Sequence, residues 1–301
     1  MIKTENLTKK FRSHTAVDSV SLQVEKGDIF GLVGPDGAGK TTLLRLIVGI
    51  VAPTSGSVSI SGLDGGGEKS GQYLGYMPQR FSLYGDLTVM ENINFFGRMY
   101  NLSSKTIRQR ADEILELTNL SSFKSRFADN LSGGMKQKLA LTCALISRPG
   151  LIILDEPTFG VDPESRKEFW KILYRLNGEG ITILVSTSYM DEAELCRKVA
   201  FMSGGKLAAV DTTVNLKRNF PFKILELKAG LGDPDALAGL PGILDADLFG
   251  DRYHIRVADP ASVRKVLEAF LAARKIDSFT LREVPASIED IFVALAESEA
   301  V

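Results

Sequence analysis

The fold is decided by the stretch Gly34-Pro35-Asp36-Gly37-Ala38-Gly39-Lys40-Thr41, which fits the pattern G-x-x-x-x-G-K-[ST]. An apolar run at residues 28–33 precedes it, and a helix-forming run at 42–48 follows it. Strand, glycine-rich loop and helix in this order are the context that the pattern requires. The glycines let backbone N–H groups surround phosphates, Lys40 reaches the β- and γ-phosphates, and Thr41 can ligate Mg²⁺. The stretch therefore predicts a nucleotide-binding loop.

A second stretch, Leu151-Ile152-Ile153-Leu154-Asp155-Glu156, is an apolar run that ends in two carboxylates. At the end of a buried strand, Asp155 is placed to hold a metal shell, and Glu156 to orient or deprotonate an attacking water. The alternative, two solvated carboxylates at a strand end, fits less well. Adjacent acids beside a buried strand are costly unless a cation or a proton offsets them.

Apolar runs alternate with helical segments through the first two thirds of the chain. A run at 181–185 follows a helix that has Asp162 as its cap, Pro163 in its first turn and one apolar face, formed by Phe169, Ile172, Leu173 and Leu176. Strands buried on both faces and alternating with helices predict a parallel α/β core. Residues 88–148 have a helical pattern throughout, which predicts a helical subdomain inserted in this core.

The alternation restarts as a smaller unit from about residue 216. It predicts strands at 223–228, 252–257 and 279–284, and a helix at 260–275 that has Asp259 as its cap. A last helix begins at Ser287, with Asp290 three residues on in a capping-box arrangement. We therefore expect two domains, 1–215 and 216–301, of which the second is a small α+β domain. The triplet Gly65-Gly66-Gly67 predicts a flexible surface loop.

A third motif separates this chain from most nucleotide-binding proteins. Just before a helix lies Leu131-Ser132-Gly133-Gly134-Met135-Lys136-Gln137-Lys138, where a hydroxyl and free N–H groups form an anion site at the helix N-terminus. At this point the sequence resembles the ATP-binding subunits of ABC transporters, whose signature is this Leu-Ser-Gly-Gly segment. The resemblance covers about residues 2–210, with the motifs in the family's order and spacing. It implies a P-loop NTPase fold of the ABC type.

The resemblance also implies a division of labour between two copies of such a domain. In the family, two domains dimerise head to tail, so that the Walker loop of one and the signature of the other enclose the same ATP. We expect either a homodimer or a heterodimer. Asp162 would belong to the loop that faces the partner domain. The implied ATP-binding residues are Phe11, Gly34, Pro35, Asp36, Gly37, Ala38, Gly39, Lys40, Thr41, Thr42, Ser132, Gly133, Gly134 and Asp162.

Further roles follow from the same resemblance. Phe11 would stack on adenine, with a plain core aromatic as the alternative. The implied Mg²⁺ ligands are Thr41, Gln79 and Asp155, and the implied catalytic residues are Glu156, Gln79 and Ser188. Residues 79–91 correspond to the stretch with which family members bind a transmembrane subunit. The expected partner is therefore a membrane permease, and the expected location is the cytoplasmic face of the membrane.

The sequence departs from the family at two positions. After the run at 181–185 the family has Ser-Thr-His, whereas this chain has Ser186-Thr187-Ser188. Losing the switch histidine typically costs about 10²- to 10⁴-fold in rate, so we expect ATP binding to persist and hydrolysis at this chain's own site to be slow. Asp36 also stands where Asn is usual. Together these residues resemble the N-terminal half of bacterial exporters with two fused ATP-binding domains.

Composition and charge limit the classes of partner and the cellular location that the sequence allows. The chain has 301 residues and a formal net charge of −1, which argues against nucleic acid as a partner. It lacks the pattern of a signal peptide and any apolar run of about 20 residues, so we expect a membrane role only through a partner. Neither histidine, His14 or His254, lies in a matching motif, and both are expected at ordinary surface or packing positions. Cys143 and Cys196 are expected to be core residues in a reducing compartment.

Two other functional classes remain to be weighed against the exporter subunit. The chain could be an ATP-gated switch or scaffold that binds ATP and scarcely hydrolyses it. A soluble ABC protein acting on ribosomes or DNA is less consistent with the near-neutral charge and the single ATP-binding domain. The C-terminal domain has no motif that predicts a reaction. It could be regulatory, ligand-sensing, a dimer brace or a packing extension.

Overall fold

The computed structural model describes residues 1–60, 74–80, 83–233 and 235–299. The predicted glycine loop at Gly65-Gly66-Gly67 lies outside these residues, as do positions 81 and 82 of the predicted permease-contacting stretch. The chain forms two compact units, Met1–Val210 and Asp211–Val301. Each unit has its own hydrophobic core, and each is described by itself below.

The first unit combines two sheets with a group of helices. Its elements are, in chain order, β1 (Ile2–Phe11), β2 (His14–Val24), β3 (Ile29–Val33), α1 (Lys40–Ile47), β4 (Ser55–Ile60), β5 (Leu74–Met77), α2 (Val89–Met99), α3 (Ser104–Leu117), α4 (Gly133–Leu145), β6 (Leu151–Asp155), α5 (Pro163–Gly178), β7 (Thr182–Thr187), α6 (Met190–Ala193), β8 (Lys198–Ser203) and β9 (Lys206–Thr212).

A six-stranded sheet with the order β5-β6-β7-β3-β8-β9 forms the centre of this unit. Strand β3 pairs in parallel with β7 and β8, and β6 pairs in parallel with β5 and β7. Every residue of β3, β6 and β7 is buried, which is why apolar residues predominate in their sequences. The predicted parallel core is confirmed. Because these strands are parallel, their carboxyl ends meet at one edge of the sheet, where such folds bind ligands.

A second sheet of three antiparallel strands, in the order β2-β1-β4, was not anticipated from the sequence. The pairing of β1 with β2 shifts register three times, and such irregularities interrupt the simple alternation by which a strand is recognised. Side chains from this sheet, from α1 and from the central sheet share one core, which includes Leu7, Val20, Phe30, Leu44 and Leu184.

The helices α2, α3 and α4 occupy most of the segment that was predicted to be a helical subdomain. They are joined through the 3₁₀ turns Ser121–Phe123 and Ala128–Asn130 and surround a separate core. Helix α2 begins at a capping box, in which Thr88 accepts a hydrogen bond from the N–H of Glu91 and the Glu91 carboxylate accepts one from the N–H of Thr88. Helix α4 is mostly buried, and its N-terminus carries the Leu-Ser-Gly-Gly segment.

The second unit is a four-stranded antiparallel sheet with helices. Its elements are α7 (Thr213–Asn219), β10 (Lys223–Ala229), β11 (Ile243–Phe249), β12 (Arg252–Val257), α8 (Pro260–Ala273), β13 (Phe279–Val284) and α9 (Ile288–Glu299). The order is β11-β12-β10-β13, and apolar residues of α8, β10 and β12 form one core. The predicted strands, both helices and the caps at Asp259 and Ser287–Asp290 are confirmed, whereas α7 and β11 were missed.

Charged side chains from neighbouring strands face one another on part of this sheet. Glu226 of β10 lies opposite His254 of β12 and Arg282 of β13. Its carboxylate accepts hydrogen bonds from Arg282 Nε at 2.7 Å and from Arg252 Nη1 at 3.1 Å. Bonds from Arg282 and Arg252 outweigh partial burial and lower the pKa of Glu226. Cross-strand pairs of opposite charge stabilise such a sheet.

His254 connects this charged row to the last helix. Its Nδ1 lies 3.0 Å from Asp290 Oδ1, and Asp290 Oδ2 accepts hydrogen bonds from the N–H and hydroxyl of Ser287 at the start of α9. The bond to Asp290 raises the pKa of His254, although burial opposes it. Burial pushes the pKa of Asp290 upward, but the bonds from His254 and Ser287 outweigh it and leave this pKa below its usual range. His254 is thus an ion-pair partner rather than an ordinary packing residue.

Both cysteines are buried and unoxidised, as expected from the sequence. Burial raises the pKa of the Cys143 and Cys196 thiols, so neither is a reactive thiolate at neutral pH.

We predict that Asp290→Asn lowers the pKa of His254 toward its ordinary value of about 6.5. The imidazolium loses its nearest negative charge, and the contribution of the pair to stability is lost with it. In the native chain that contribution is complete between about pH 4 and 6.5. It falls as the pH rises through the raised pKa of His254, and also as the pH falls through the lowered pKa of Asp290.

The measurement is an NMR titration of the imidazole ring protons. His14 and His254 are the only histidines in the sequence, so two signals suffice and His14 serves as the internal control. An unchanged titration of His254 in the variant would contradict the assigned cause of the shift.

Candidate functional site

A cavity of about 440 Å³ opens beside the glycine-rich loop that joins β3 to α1. It brings together residues from five separate parts of the first unit, and it includes most of the predicted ATP-binding set. The predicted residues that line it are Phe11, Asp36, Gly37, Ala38, Gly39, Lys40, Thr41, Thr42, Gln79 and Glu156. His14 and Ala16 line it as well, although the sequence did not single them out.

The glycine-rich loop takes a shape that requires glycine. Gly39 has φ +102° and stands at the N-cap of α1, and a Cβ there would lie 2.2 Å from the carbonyl oxygen of Ala16. Having no side chain, Gly39 also leaves the first N–H groups of α1 available to an anion. The loop is therefore shaped for a phosphate at the helix N-terminus.

Lys40 lies under this loop, almost fully buried. Its Nζ donates hydrogen bonds to the carbonyl oxygens of Gly34 at 2.7 Å and Pro35 at 3.0 Å, and it pairs with Glu156 Oε1 at 2.9 Å. Gly34 and Pro35 thus contribute through their carbonyl groups and do not line the cavity. This buried cation at the N-terminus of α1 is held in position by two carbonyl oxygens and one carboxylate oxygen.

Phe11 stands at the mouth of the cavity, with 48% of its surface exposed. The alternative interpretation of Phe11 as a core aromatic is therefore wrong. Phe11 and His14 are paired across the two-residue turn between β1 and β2, which is how His14 reaches the cavity. Lys9 Nζ lies 5.1 Å from the centre of the Phe11 ring. An exposed ring beside a phosphate-shaped loop can stack on a flat heterocycle.

Asp155 lies at the end of β6 and is fully buried. Its Oδ1 accepts hydrogen bonds from Thr41 at 3.0 Å and from Ser186 at 2.8 Å. Its Oδ2 is buried and has no hydrogen-bond partner among the described residues. Burial raises the pKa of Asp155; the bonds from Ser186 and Thr41 offset it only in part. A cation beside Oδ2 would satisfy this oxygen and favour the ionised carboxylate.

The residues present fit Mg²⁺ only in combination with phosphate oxygens. Thr41 and Asp155 supply hard oxygen ligands next to each other, which suits Mg²⁺. Across the described ranges, no group of three or more His, Cys, Asp or Glu side chains is assembled to hold a metal by itself. Mg²⁺ in NTPase sites is commonly held in this way, by one or two protein groups together with substrate phosphates.

Glu156 adopts a backbone conformation that is rare for a residue with a side chain, with φ +46°. The strand end of β7 holds it there, because the N–H of Glu156 donates to Ser186 Oγ at 2.9 Å and to the Ser186 carbonyl at 3.2 Å. Gln79 Nε2 donates to Glu156 Oε2 at 3.2 Å. One carboxylate oxygen thus contacts Lys40 and the other contacts Gln79, which fixes the position of a candidate general base.

The Leu-Ser-Gly-Gly segment lies apart from this cavity. Ser132 caps α4 by accepting a hydrogen bond from the N–H of Met135 at 3.3 Å. A Cβ on Gly134 would lie 2.6 Å from Ser165 Oγ, so glycine permits the close approach of α4 to the start of α5. Gly133 lines a different cavity, of about 350 Å³, and Gln79 lines both. Within one chain, the signature and the glycine-rich loop therefore serve separate cavities.

Two more predicted residues do not line the glycine-loop cavity. Asp162 caps α5 by accepting a hydrogen bond from the N–H of Ser165 at 2.9 Å, and this bond lowers the pKa of its exposed carboxyl. Ser188 is half-buried and follows the end of β7.

The role of Ser186 was not predicted from the sequence. Its hydroxyl bonds the Asp155 carboxylate and the N–H of Glu156. The feature that reveals this role is the parallel pairing of β6 with β7, which places Asp155 opposite Ser186.

The fold and this site define a P-loop nucleotide-binding domain, and comparison with known proteins identifies its class. The family model described as ABC transporter matches residues 17–159. The model described as the C-terminal domain of DrrA1-3-like ATP-binding proteins matches residues 212–296. The chain belongs to the ABC transporter ATP-binding proteins.

Several curated proteins are similar to this chain. The chain is 43% identical over 219 residues to a probable multidrug ABC transporter ATP-binding protein, YbhF, of Escherichia coli, in a match covering 72% of this chain and 38% of that protein. It is 37% identical over 219 residues to the linearmycin resistance ATP-binding protein LnrL of Bacillus subtilis, covering 72% of this chain and 70% of that one. It is 34% identical to the Nod factor export ATP-binding protein I of Neorhizobium galegae, covering 99% and 85%.

Solved structures agree with the family assignment. A dimeric post-hydrolysis state of the ATP-binding cassette MJ0796, bound to ADP and Pi, is 28% identical with a TM-score of 0.64. It covers 70% of this chain and 98% of that one. The match to an ATP-binding subunit of an ABC transporter has a TM-score of 0.65 at 30% identity, covering 73% and 93%. None of the helices in the described part of the chain has the length and hydropathy of a membrane span.

We predict that Ser186→Ala lowers the free energy of unfolding of the first unit by about 1–3 kcal/mol. The substitution removes a buried hydroxyl that bonds the Asp155 carboxylate and the N–H of Glu156. Urea unfolding followed by tryptophan fluorescence measures the effect, because Trp170 is the only tryptophan and is buried in α5.

The matched control is Ser57→Ala on the exposed strand β4, which we expect to change stability by less than about 0.5 kcal/mol. Equal stability of the two variants would contradict the role assigned to Ser186.

Proposed function

We propose that this chain is the ATP-binding subunit of an ABC exporter. It binds Mg²⁺-ATP in the cavity beside Lys40, pairs with a second ATP-binding domain, and drives a membrane permease through closure and reopening of that pair. The observation that carries the proposal is the buried Lys40–Glu156 ion pair in one cavity wall, with Gln79 bonded to Glu156 and with Asp155 and Thr41 bonded to each other beside it.

In this proposal each part of the cavity takes one part of the nucleotide. Phe11 stacks on the adenine, and Lys40 with the N–H groups of residues 37–42 binds the phosphates. Asp155, Thr41 and Gln79 hold Mg²⁺, which when bound offsets the charge that develops on the transferred phosphoryl group. Glu156 orients the attacking water and accepts its proton. The Lys40–Glu156 contact supports these roles, because it places a cation and a base on the same cavity wall.

The second domain is proposed because one chain does not supply all the expected phosphate-binding groups to one cavity. Ser132, Gly133 and Gly134 belong to the N-terminus of α4, and Asp162 to the N-cap of α5, both away from the Walker loop. A head-to-tail pair brings the signature of one domain to the nucleotide of the other. The dimeric cassette with ADP and Pi, which this chain resembles at 28% identity, supports the pairing of two such domains.

The proposals of export and of a permease partner rest on the names of the similar proteins. Those that match across most of their length are named for linearmycin resistance and for Nod factor export. The match to a DrrA1-3-like C-terminal domain extends the likeness into the second unit. We therefore place the chain on the cytoplasmic face of the membrane, bound to a permease through residues 79–91. The side chains of Tyr84, Phe95 and Met99 are exposed in and beside that stretch, which suits an apolar partner.

Hydrolysis at this chain's own site is proposed to be slow, because Ser188 stands where the family has histidine. A hydroxyl is shorter than an imidazole and cannot carry its positive charge. The same observation favours a second candidate function, an ATP-gated regulatory or scaffold subunit that binds ATP and depends on its partner's site for turnover. Steady-state ATPase measurements separate the two: slow but measurable turnover by the isolated chain supports the first function, whereas tight ATP binding without turnover supports the second.

We predict that Lys40→Met weakens Mg²⁺-ATP binding by about 10- to 100-fold, because charge-assisted hydrogen bonds to phosphate are lost. Displacement of the fluorescent analogue TNP-ATP by ATP measures the affinity. The control is Lys167→Met, which removes an exposed lysine of α5.

Lys40→Met also leaves Glu156 buried without its cation, so the double variant Lys40→Met/Glu156→Gln is measured in parallel. If that double variant is folded by Trp170 fluorescence and still binds ATP like the wild type, the cavity is not the nucleotide site.

We predict that Ser188→His raises the single-turnover rate of ATP hydrolysis by at least about tenfold, because it restores a group that can contact the γ-phosphate. The rate is measured with the chain in excess over ATP. Ser188→Asn, which adds bulk without a titratable group, is the control. No increase in Ser188→His would rule out residue 188 as the cause of slow turnover.

A further inference from the structure

A second buried carboxylate, Glu192, lies on the short helix α6, outside the nucleotide cavity. Only 2% of its surface is exposed, and none of the proposed steps of the ATP cycle uses it. Burial of a carboxylate is unfavourable unless hydrogen bonds and a countercharge offset it. The structure shows both, and they come from three separate elements: the loop after β6, the end of β7 and helix α5.

Two threonine hydroxyls donate hydrogen bonds to the two oxygens of this carboxylate. Thr158 Oγ1 donates to Oε1 at 2.6 Å, and Thr187 Oγ1 donates to Oε2 at 2.8 Å. Both threonines are buried, with 1% of their surface exposed. Thr158 follows Glu156 by two residues, and Thr187 directly precedes Ser188. The carboxylate therefore joins the loop of the candidate general base to the loop of the switch position.

The direction of these bonds is fixed. Thr187 Oγ1 accepts a hydrogen bond from the N–H of Tyr189 at 3.0 Å while its own proton goes to Glu192. A carboxylate accepts on both oxygens, whereas an amide in its place offers one acceptor and one donor. Glutamine at position 192 would therefore place its amide N–H group, a donor, opposite one of the two threonine hydroxyls that donate to Glu192.

The countercharge comes from Arg166 of α5, the helix that begins after Asp162. Its Nη1 lies 4.0 Å from Glu192 Oε1, and its Nη2 lies 3.5 Å from Asp191 Oδ2. The guanidinium also lies over the Tyr189 ring, 4.5 Å from its centre. Arg166 thereby connects the helix capped by Asp162 to both Glu192 and the side chain of Tyr189, the residue after Ser188.

We propose that Glu192 is a positioning residue that holds residues 187–189 at a fixed place relative to Glu156, so that the two loops move together during the ATP cycle. The role in the cycle rests on the proposed function, whereas the fixing of the loop does not. Glu192 does not line the nucleotide cavity, and in this proposal it acts through Thr158, Thr187 and Arg166.

The first test measures loop positioning in the full chain by hydrogen–deuterium exchange. In Glu192→Gln and Thr187→Val, we expect the amides of residues 187–190 to exchange at least about tenfold faster than in the wild type, while β6 is unchanged. Thr187→Ser keeps the hydroxyl and is expected to restore the wild-type rate. Asp191→Asn removes a neighbouring exposed charge that also faces Arg166, and serves as the matched control. Unchanged exchange in Glu192→Gln overturns the proposal.

The second test measures single-turnover hydrolysis and TNP-ATP binding in the same variants. We expect Glu192→Gln to reduce the hydrolysis rate by about 10- to 100-fold with affinity within twofold of wild type, since only positioning is lost. A parallel loss of affinity would show a general structural role and overturn the proposal. If the wild-type chain binds no TNP-ATP, the proposed function is wrong, and so is the role of Glu192 in the ATP cycle. The hydrogen–deuterium exchange result still decides whether Glu192 holds residues 187–189 in place.

Discussion

The burial of two adjacent carboxylates at the end of β6 is the constraint on which the rest of the first unit depends. Asp155 is fully buried and Glu156 is 5% exposed. Negative charge at this depth is unfavourable unless it is offset, and each group that offsets it comes from a different part of the fold. Lys40 and Thr41 come from α1, Ser186 from β7, and Gln79 from the segment after β5.

This dependence explains why strand order and register matter for the site. Strand β7 lies between β6 and β3, and its pairing places Ser186 opposite Asp155 and Thr187 opposite Val33. A slip of one residue would exchange the faces of β7 and remove the Ser186 hydroxyl from the Asp155 carboxylate and from the N–H of Glu156. The strained backbone of Glu156 would then lose the two acceptors that hold its N–H. The glycine-rich loop, the carboxylates and the switch loop are thus positioned by one set of parallel strands.

The sequence was most informative where function restricts the residue type. The segment from residue 28 to Thr41 predicted strand, loop and helix because few residues can surround a phosphate. Strand β11 was missed because Asp245 and Asp247 interrupt its apolar pattern and resemble turn residues. Their partners are Arg256 and His254 on the next strand, and such cross-strand compensation is visible only once the pairing is known. The antiparallel sheet of β1, β2 and β4 was missed for a related reason, since its register shifts disrupt the alternation.

Phe11 and Ser186 mark the limits of prediction within the site. The position of Phe11 followed from a family pattern, but its exposure depends on the turn to His14. Ser186 lies in a strand whose every residue is buried, and nothing in its neighbours distinguishes a packing serine from one that bonds a carboxylate and a backbone N–H. Its role arises from the parallel partner strand, 31 residues earlier for the bond to Asp155.

Buried carboxylates in the two units differ in how many of their oxygens accept hydrogen bonds. This difference helps to distinguish structural from functional roles. Both oxygens of Glu226 accept hydrogen bonds from arginine, and both oxygens of Asp290 are bonded to His254 or Ser287, so these networks are closed and stabilise the fold. Asp155 keeps one buried oxygen without a hydrogen-bond partner among the described residues, and its pKa is raised. An unpartnered buried oxygen beside Thr41 is one that a ligand can satisfy, and hard oxygen groups such as those of Asp155 and Thr41 suit a divalent cation held together with phosphate. The same accounting of hydrogen bonds that makes the Glu226 network structural therefore supports the ligand-binding role proposed for the first unit.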